Sequence, residues 1–490
     1  MDKNGVVTFS EWNKGQAKHP IYGFGLLQNV EVFENKGIAQ IKTMMAPSTL
    51  FGTPTFPPIA KVDDFYLFGD NTGGALYQNS TSITSGLTSA WDMIKYKDYV
   101  WVRYGGNLGA YGPLSAAPKW FPAILTSFNA DFYGKIIQGQ DGYLYSTSGN
   151  ETVKLDVTSY GTPAVAPSVS VSTTLDLPDG QYGVTLEEHG TKVVVGTQGS
   201  EGYYNTGIDA KAKLFAWNRQ AGTLGNPGLA DLPVPFKEDR INAVVSHQNK
   251  LYVSAGTTGN IYMTDATNYI KIASLPYTKD VIVNSSRVAP NAMTISAKGT
   301  LLVGLSALPI TESDEARYGV YEIDINDPKY PVSFRTLASG ETSSTEQFGI
   351  GFVREDFNSL YVGWKRGDET NVDYSLPFID AGYYGTIETQ LVKVGTFNEK
   401  KTFGHIEWSL AEPLLEGQSI SIQYRKNATQ DYTTIGEWSN GVPSTTEVGE
   451  VVSYEAIFPS EALEYVQLKV FLNNSGDAFN NIPLVSIRIW

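Results

Sequence analysis

The chain has 490 residues, 51 acidic and 36 basic side chains, a net charge of −15 and no cysteine. The missing cysteine excludes a disulfide framework, thiolate metal sites, iron–sulfur clusters and a thiol nucleophile, and the acidic balance argues against broad binding to a phosphate backbone. Hydrophobic content of 41% with 29 Tyr, 22 Phe and 9 Trp supplies a large core, so bulk disorder is excluded as well.

The opening Met1-Asp2-Lys3-Asn4-Gly5 lacks a basic region followed by an apolar stretch, and no apolar run in the chain reaches 18 residues. A secretory signal and a membrane span are therefore not expected. Asp2 to Trp12 echoes a calcium loop, but its Gly stands fourth and its Glu tenth. An EF-hand needs them at positions six and twelve, so a turn followed by a strand is the better reading.

Residues 1–55 read as an N-terminal arm with closing strands. Lys18 to Phe33 leads into Gly37-Ile38-Ala39-Gln40-Ile41, and an extended passage follows through Pro54-Thr55-Phe56-Pro57-Pro58. A leading strand of this kind can complete the last unit of a closed ring, or serve as an anchoring arm on a neighbouring subunit.

From residue 56 to residue 390 one unit recurs. A turn with Gly or Asn precedes an aromatic-aliphatic strand, and a small-residue turn follows. It is read at Phe65-Tyr66-Leu67-Phe68-Gly69, Tyr99-Val100-Trp101-Val102, Tyr143-Leu144-Tyr145-Ser146 and Lys192-Val193-Val194-Val195-Gly196. It returns at Leu251-Tyr252-Val253-Ser254, Leu301-Leu302-Val303-Gly304 and Leu360-Tyr361-Val362-Gly363-Trp364. Anchored at Tyr66, Tyr99, Tyr143, Val193, Leu251, Leu301 and Leu360, six steps average 49 residues. That is close to the ~40–50 residues of a four-stranded propeller blade. Each small sheet cannot bury its faces alone, and stacking round an axis solves this. An all-β propeller of about seven blades is expected. Tyrosines recurring on one strand, as at Tyr66, Tyr99, Tyr143, Tyr252 and Tyr361, are then blade-packing residues.

From residue 391 to residue 490 the pattern becomes strict alternation, as in Ser419-Ile420-Ser421-Ile422-Gln423-Tyr424-Arg425 and Val466-Gln467-Leu468-Lys469-Val470. One face is buried and one is wet, which predicts a β-sandwich after the propeller. Ser460 to Tyr465 is the best of the few short helical candidates.

No chemistry-bearing constellation stands out. The four histidines, His19, His189, His247 and His405, have no metal-ligand spacing, and turn or surface roles are expected for them. Carboxylates are plentiful, yet the Ser-x-Asp-x-Gly-x-Thr-Trp turns of sialidase propellers are missing, and Trp91-Asp92 is an isolated Trp-Asp pair. The five Asn-x-Ser/Thr sequons, from Asn79 to Asn473, are explained by composition. Aromatics in Gly/Asn-rich loops are the remaining candidates, because aromatic faces beside polar groups stack on sugar rings. These are Trp101, Tyr104, Tyr111 and Trp120, then Tyr203 and Tyr204, then Tyr383 and Tyr384. Any one of them competes with a core role between blades.

Two stretches resemble tail-associated β-propeller structural proteins of tailed bacteriophages. The first is Tyr22-Gly23-Phe24-Gly25-Leu26-Leu27-Gln28-Asn29-Val30-Glu31-Val32-Phe33, running on to Gly37-Ile38-Ala39. The second is Gly385-Thr386-Ile387-Glu388-Thr389-Gln390-Leu391-Val392, continued by Gly404-His405-Ile406-Glu407 and Asn481-Ile482-Pro483-Leu484-Val485. The resemblance implies a virion protein of the tail (nozzle, hub or fibre-like), made in the host cytoplasm without a signal peptide. It would assemble with other tail subunits and with copies of itself, and would contact a host-surface glycan or protein. It supplies no catalytic residues, so no enzyme activity, cofactor, metal, nucleic acid or membrane insertion is expected. The alternative from the residues alone is a glycan-binding or glycan-cleaving propeller.

Overall fold

The computed structural model describes residues 7–9, 26–28, 30–31, 40–41, 45–47, 56–70, 72–199, 211–219, 231–265, 268–275, 286–307, 319–335, 348–356, 359–366, 369–375, 383–389, 391–394, 400–427, 429–439, 446–448, 451–459, 461–474 and 482–490. Regular structure among them is entirely strand.

Seven antiparallel strand groups follow one another along the described residues. Blades 1 to 5 are four-stranded meanders running from Pro58 to Leu87, Ala90 to Leu125, Ile136 to Asp176, Gln181 to Pro235 and Ile241 to Ser274. Blade 6 spans Met293 to Arg335 in four strands. Blade 7 takes three consecutive strands, Phe348–Asp356, Ser359–Arg366 and Glu369–Ser375, and adds Met45–Pro47 outside them. The N-terminal segment thus supplies the fourth strand of the last blade.

The innermost strands touch in ring order. Pro58–Val62 meets Ala90–Tyr96, which meets Ile136–Gln138, and so on through Gln181–His189, Ile241–His247, Met293–Ile295 and Phe348–Asp356 back to Pro58–Val62. This closed order makes the fold a β-propeller. All seven repeat anchors fall at the start of the second strand of a blade, Tyr143 one residue before it. Those strands are flanked by neighbouring blades on both faces, so they read as largely apolar runs, with buried polar exceptions such as Arg103, Ser146 and Thr147. Tyr99–Tyr104 is buried at every position.

The seam between the last and first blades is tight. A Cβ on Gly351 would lie 1.9 Å from the Pro58 carbonyl oxygen, so only glycine allows this backbone approach. Across the same seam Lys61 Nζ meets Asp356 Oδ2 at 2.5 Å, and Arg354 Nη1 donates to the Lys61 carbonyl at 2.9 Å.

The C-terminal strands form two sheets with one core. One sheet orders Val7–Phe9, Leu484–Ile489, His405–Leu410, Val451–Ile457 and Thr446–Val448. The other orders Leu26–Gln28, Tyr383–Glu388, Tyr465–Asn474, Gln418–Arg425 and Thr433–Ser439. Ile406, Trp408 and Ile487 from the first pack with Ile420, Ile422, Val470 and Leu472 from the second. Gln418–Arg425 alternates perfectly between buried and half-buried, the period-two pattern of its sequence. Leu26–Gln28 also pairs parallel to Val332–Arg335, so blade 6 and this sheet are hydrogen-bonded into one. Tyr383–Glu388, placed before residue 390, pairs with the C-terminal strand Tyr465–Asn474.

The helical candidate fails. Ala462–Leu463 is a short strand paired with Lys401–Thr402, because burying Leu463 in the C-terminal core outweighs a weak local helix preference. The calcium-like loop before residue 7 lies outside the described residues, and Val7–Phe9 after it is a strand.

Candidate functional site: the axial cavity

The innermost strand of every blade turns side chains toward the ring axis. Together they line a cavity of about 410 Å³. Its polar lining comes from Lys61, Asp92, Lys135, Glu187, Asn291, Arg354 and Glu355, and its apolar walls include Met93, Ile94, Val244, Val245, Met293, Phe352 and Val353.

Three of these polar groups, Asp92, Lys135 and Asn291, are spent on one another. Asn291 Nδ2 donates to Asp92 Oδ1 at 2.7 Å and to the Ile59 carbonyl at 3.1 Å. Lys135 Nζ donates to Asn291 Oδ1 and lies 3.4 Å from Asp92 Oδ2. The Ile136 N–H adds a bond to Asp92 Oδ2 at 3.0 Å. Blades 1, 2 and 3 are thereby tied across the axis to the loop entering blade 6. Asp92 is almost fully buried, and a buried carboxylate persists only when paired in this way.

Glu187 is less compensated. The Ser246 N–H reaches its Oε1 at 3.3 Å. Burial pushes its carboxyl up to about 7, against the pull of that bond and of Lys135, with Glu188 adding to the rise. Ser246 Oγ also lies 2.9 Å from His189 Nδ1. Burial, and secondarily Lys192, hold that imidazole below its ordinary value. At the seam, burial presses Lys61 down against its Asp356 partner. Burial alone would raise Asp356, but hydrogen bonds from Lys61 and Arg354 prevail and hold it below the usual carboxylate range.

A second buried charge stands behind the axis. Arg103 is fully buried, with Nη1 donating to the Asn107 carbonyl at 2.7 Å and Nε to Ser146 Oγ at 3.1 Å. Its guanidinium lies 3.8 Å from the centre of the Phe128 ring. Burial lowers its pKa and Asp92 opposes the shift; a guanidinium keeps its proton at neutral pH all the same.

The aromatic candidates do not form a binding face. Trp101 is fully buried, donates Nε1–H to the Tyr96 carbonyl at 3.0 Å and packs 5.9 Å from Tyr99. Tyr104 is also buried; its hydroxyl accepts the Ala123 N–H at 2.9 Å and its ring lies 6.1 Å from Trp120. Both are corrected from surface to core, because their strand is covered on both sides. Tyr111 and Trp120 are half-buried, with Tyr111 set edge-on to Phe65 of blade 1. Tyr203 and Tyr204 lie outside the described residues. Tyr383 and Tyr384 lie on a strand paired with Asn474 and Asn473, and their side chains are outside the described set.

The axial residues were missed in the sequence because they sit on different blades and on the segments entering them. Only Trp91-Asp92 carried a hint, as a lone Trp-Asp pair, and its Asp is at the centre of the axial network. His405 is at the surface, 2.6 Å from Glu455 and stacked on Trp490. Among the described residues, no group of three or more His, Asp or Glu side chains is placed to hold a metal ion.

No known family model matches this chain, and no curated protein does. Solved propellers resemble it distantly. The β-propeller domain of Cps50 (Swd1) from Myceliophteria thermophila is 10% identical, covers 68% of this chain and 99% of its own, and has a TM-score of 0.43. The Neurospora crassa Pan2 WD40 domain is 9% identical, with 69% and 95% covered and a TM-score of 0.42. The N-terminal domain of Nup159 is 10% identical, with 71% and 98% covered and a TM-score of 0.37. Likeness at this level carries no functional argument, and nothing in it points to phage tail proteins. The class of protein rests on the closed ring of blades: this is an all-β propeller protein.

Proposed function

We propose that this chain is a structural component of a bacteriophage virion tail, of nozzle, hub or fibre-like type. In this reading it assembles with other tail subunits and with copies of itself, and presents a surface to the host. The two C-terminal sheets with their common core are read as a β-sandwich fixed beside the propeller. The observation that carries the proposal is the continuous sheet from blade 6 through Leu26–Gln28 into Tyr383–Glu388 and Tyr465–Asn474. Backbone pairing joins the propeller to the C-terminal part through Leu26–Gln28, which suits a particle component under mechanical load. The axial polar groups fit the same reading, since Asp92, Asn291 and Lys135 hold blades together. The glycan alternative loses Trp101 and Tyr104 to the core.

The test is mass spectrometry and immunogold microscopy of purified particles from the source lysate. The protein is expected in stoichiometric amount at the tail. Its absence from washed particles overturns the proposal.

A further inference from the structure

Strand edges decide which parts of a propeller rim stay solitary, because an unpaired outer strand offers a row of backbone donors and acceptors. Most rims here are blunted. The outer strand of blade 2 contains Lys119 and Pro122, that of blade 4 contains Pro233 and Pro235, and that of blade 5 contains Lys271. Blade 6 is covered by Leu26–Gln28. Proline and lysine are the usual guards against edge pairing.

Two outer turns with their flanking strand ends carry no charged residue, residues 71–91 in blade 1 and 157–175 in blade 3, although the blade 3 hairpin sets Asp156 opposite Ser170. They differ in what they expose. Among the described residues the hairpin in blade 1 shows no exposed large apolar side chain. The hairpin in blade 3 shows three of the six among the described residues: Tyr160 at 51%, Val165 at 56% and Val171 at 42%. Its outer strand, Ser168–Asp176, is nine residues long and contains neither proline nor lysine. No strand pairs on its outer side among the described residues. Register shifts fall at Ser172 and, on the partner strand, at Thr158, so Val169–Val171 is an edge stretch in unbroken register.

We infer that this edge is a self-association surface, occupied by the same strand of a second copy of this chain. Charge selects the occupant. The chain carries −15, so copies repel over most of their surfaces. A contact between copies is least opposed where neither side bears a charge. In a two-fold pairing the same patch meets itself, and Ser-Val-Ser-Val against itself sets no carboxylate opposite another. Backbone bonds along the edge supply the pairing, and Val165 and Val171 supply apolar area beside it, while the Tyr160 ring holds the Lys97 ammonium 4.8 Å from its centre. The inference specifies the contact between copies named above and does not depend on the virion reading. A protein absent from particles could still self-associate through this strand.

Sedimentation velocity on the purified full chain tests it, with Val171→Lys and, as a control, Thr84→Lys in the outer strand of blade 1. The wild type and Thr84→Lys are expected to self-associate with rising concentration. Val171→Lys is expected to weaken this at least about tenfold, because it places like charges opposite one another. Circular dichroism and melting checks that each variant folds. The absence of native cysteine allows a second readout by single cysteines. Under mild oxidation Ser170→Cys is expected to give a disulfide-linked dimer, and Ser82→Cys in blade 1 is not. A monomeric wild type, or a Val171→Lys variant that associates like wild type, overturns the inference. So does equal cross-linking of the two cysteine variants.

Discussion

The closure of the ring depends on a seam whose two sides are 295 residues apart in sequence, and the Lys61–Asp356 pair spans it at 2.5 Å. The two side chains are 4% and 15% exposed. Breaking a buried pair by removing one partner costs about 3–5 kcal/mol, because the other charge is left buried. The two truncations are not equivalent. Lys61→Ala leaves Asp356 with Arg354 Nε at 2.8 Å, so its cost falls at the low end, about 3 kcal/mol. Asp356→Ala leaves the Lys61 ammonium with the Asp63 carbonyl at 2.5 Å and the Tyr361 ring at 4.1 Å. That cost falls at the high end, about 4–5 kcal/mol. The double variant should cost little more than the worse single one, giving a coupling of about 2–3 kcal/mol. The pH dependence has a definite sign. Asp356 is held below its ordinary value, so the pair's contribution is present at neutral pH and is lost as pH falls through the lowered value. In Asp356→Ala the lone lysine sheds its proton as pH rises, and stability recovers toward alkaline pH. Denaturant unfolding followed by tryptophan fluorescence gives the four stabilities. Hydrogen exchange at Pro58–Val62 and Phe348–Asp356 reports whether the seam itself opens. A coupling below about 0.5 kcal/mol, or Asp356→Ala milder than Lys61→Ala, refutes the reasoning.

Three further outcomes follow from the same geometry. Gly351→Ala forces the seam apart, since its Cβ would sit 1.9 Å from the Pro58 oxygen; a loss of more than about 2 kcal/mol is expected, and a neutral result refutes the close approach. Glu187→Gln removes a carboxyl that burial raises from 4.5 to about 7. The wild type should therefore lose stability relative to the variant as pH rises from 4.5 to 7, by roughly 1–3 kcal/mol after allowing for solvent in the cavity; parallel stability curves across that range refute it. Trp101→Ala should cost about 3–5 kcal/mol as a core deletion, whereas Tyr111→Ala, half-buried, should cost clearly less; similar costs in a denaturant titration would overturn the reassignment of Trp101 to the core.

Local pattern made much of the architecture legible. The repeat anchors, from Tyr66 to Leu360, each mark the second strand of a blade. That strand is buried on both faces, so its sequence is mainly apolar whatever blade it belongs to, and polar exceptions such as Arg103 and Thr147 are hydrogen-bonded. The alternation in Gln418–Arg425 was legible for the complementary reason, since one face of that strand is wet. The same rule explains the misreading of Trp101 and Tyr104. Gly, Asn and Pro nearby suggested a loop surface, but Tyr99-Val100-Trp101-Val102-Arg103-Tyr104 has no polar alternation and belongs to the doubly covered class.

The sequence by itself determined the all-β class, the repeat and its spacing, and the absence of thiol chemistry, because each depends on neighbouring residues or on simple counts. Tertiary structure alone decided which strand closes the last blade, which residues meet at the axis, and how the chain's two ends join. Asp92, Lys135, Glu187 and Asn291 come from different blades. No local spacing encodes their meeting, because the ring brings them together only when its first and last blades pack side by side.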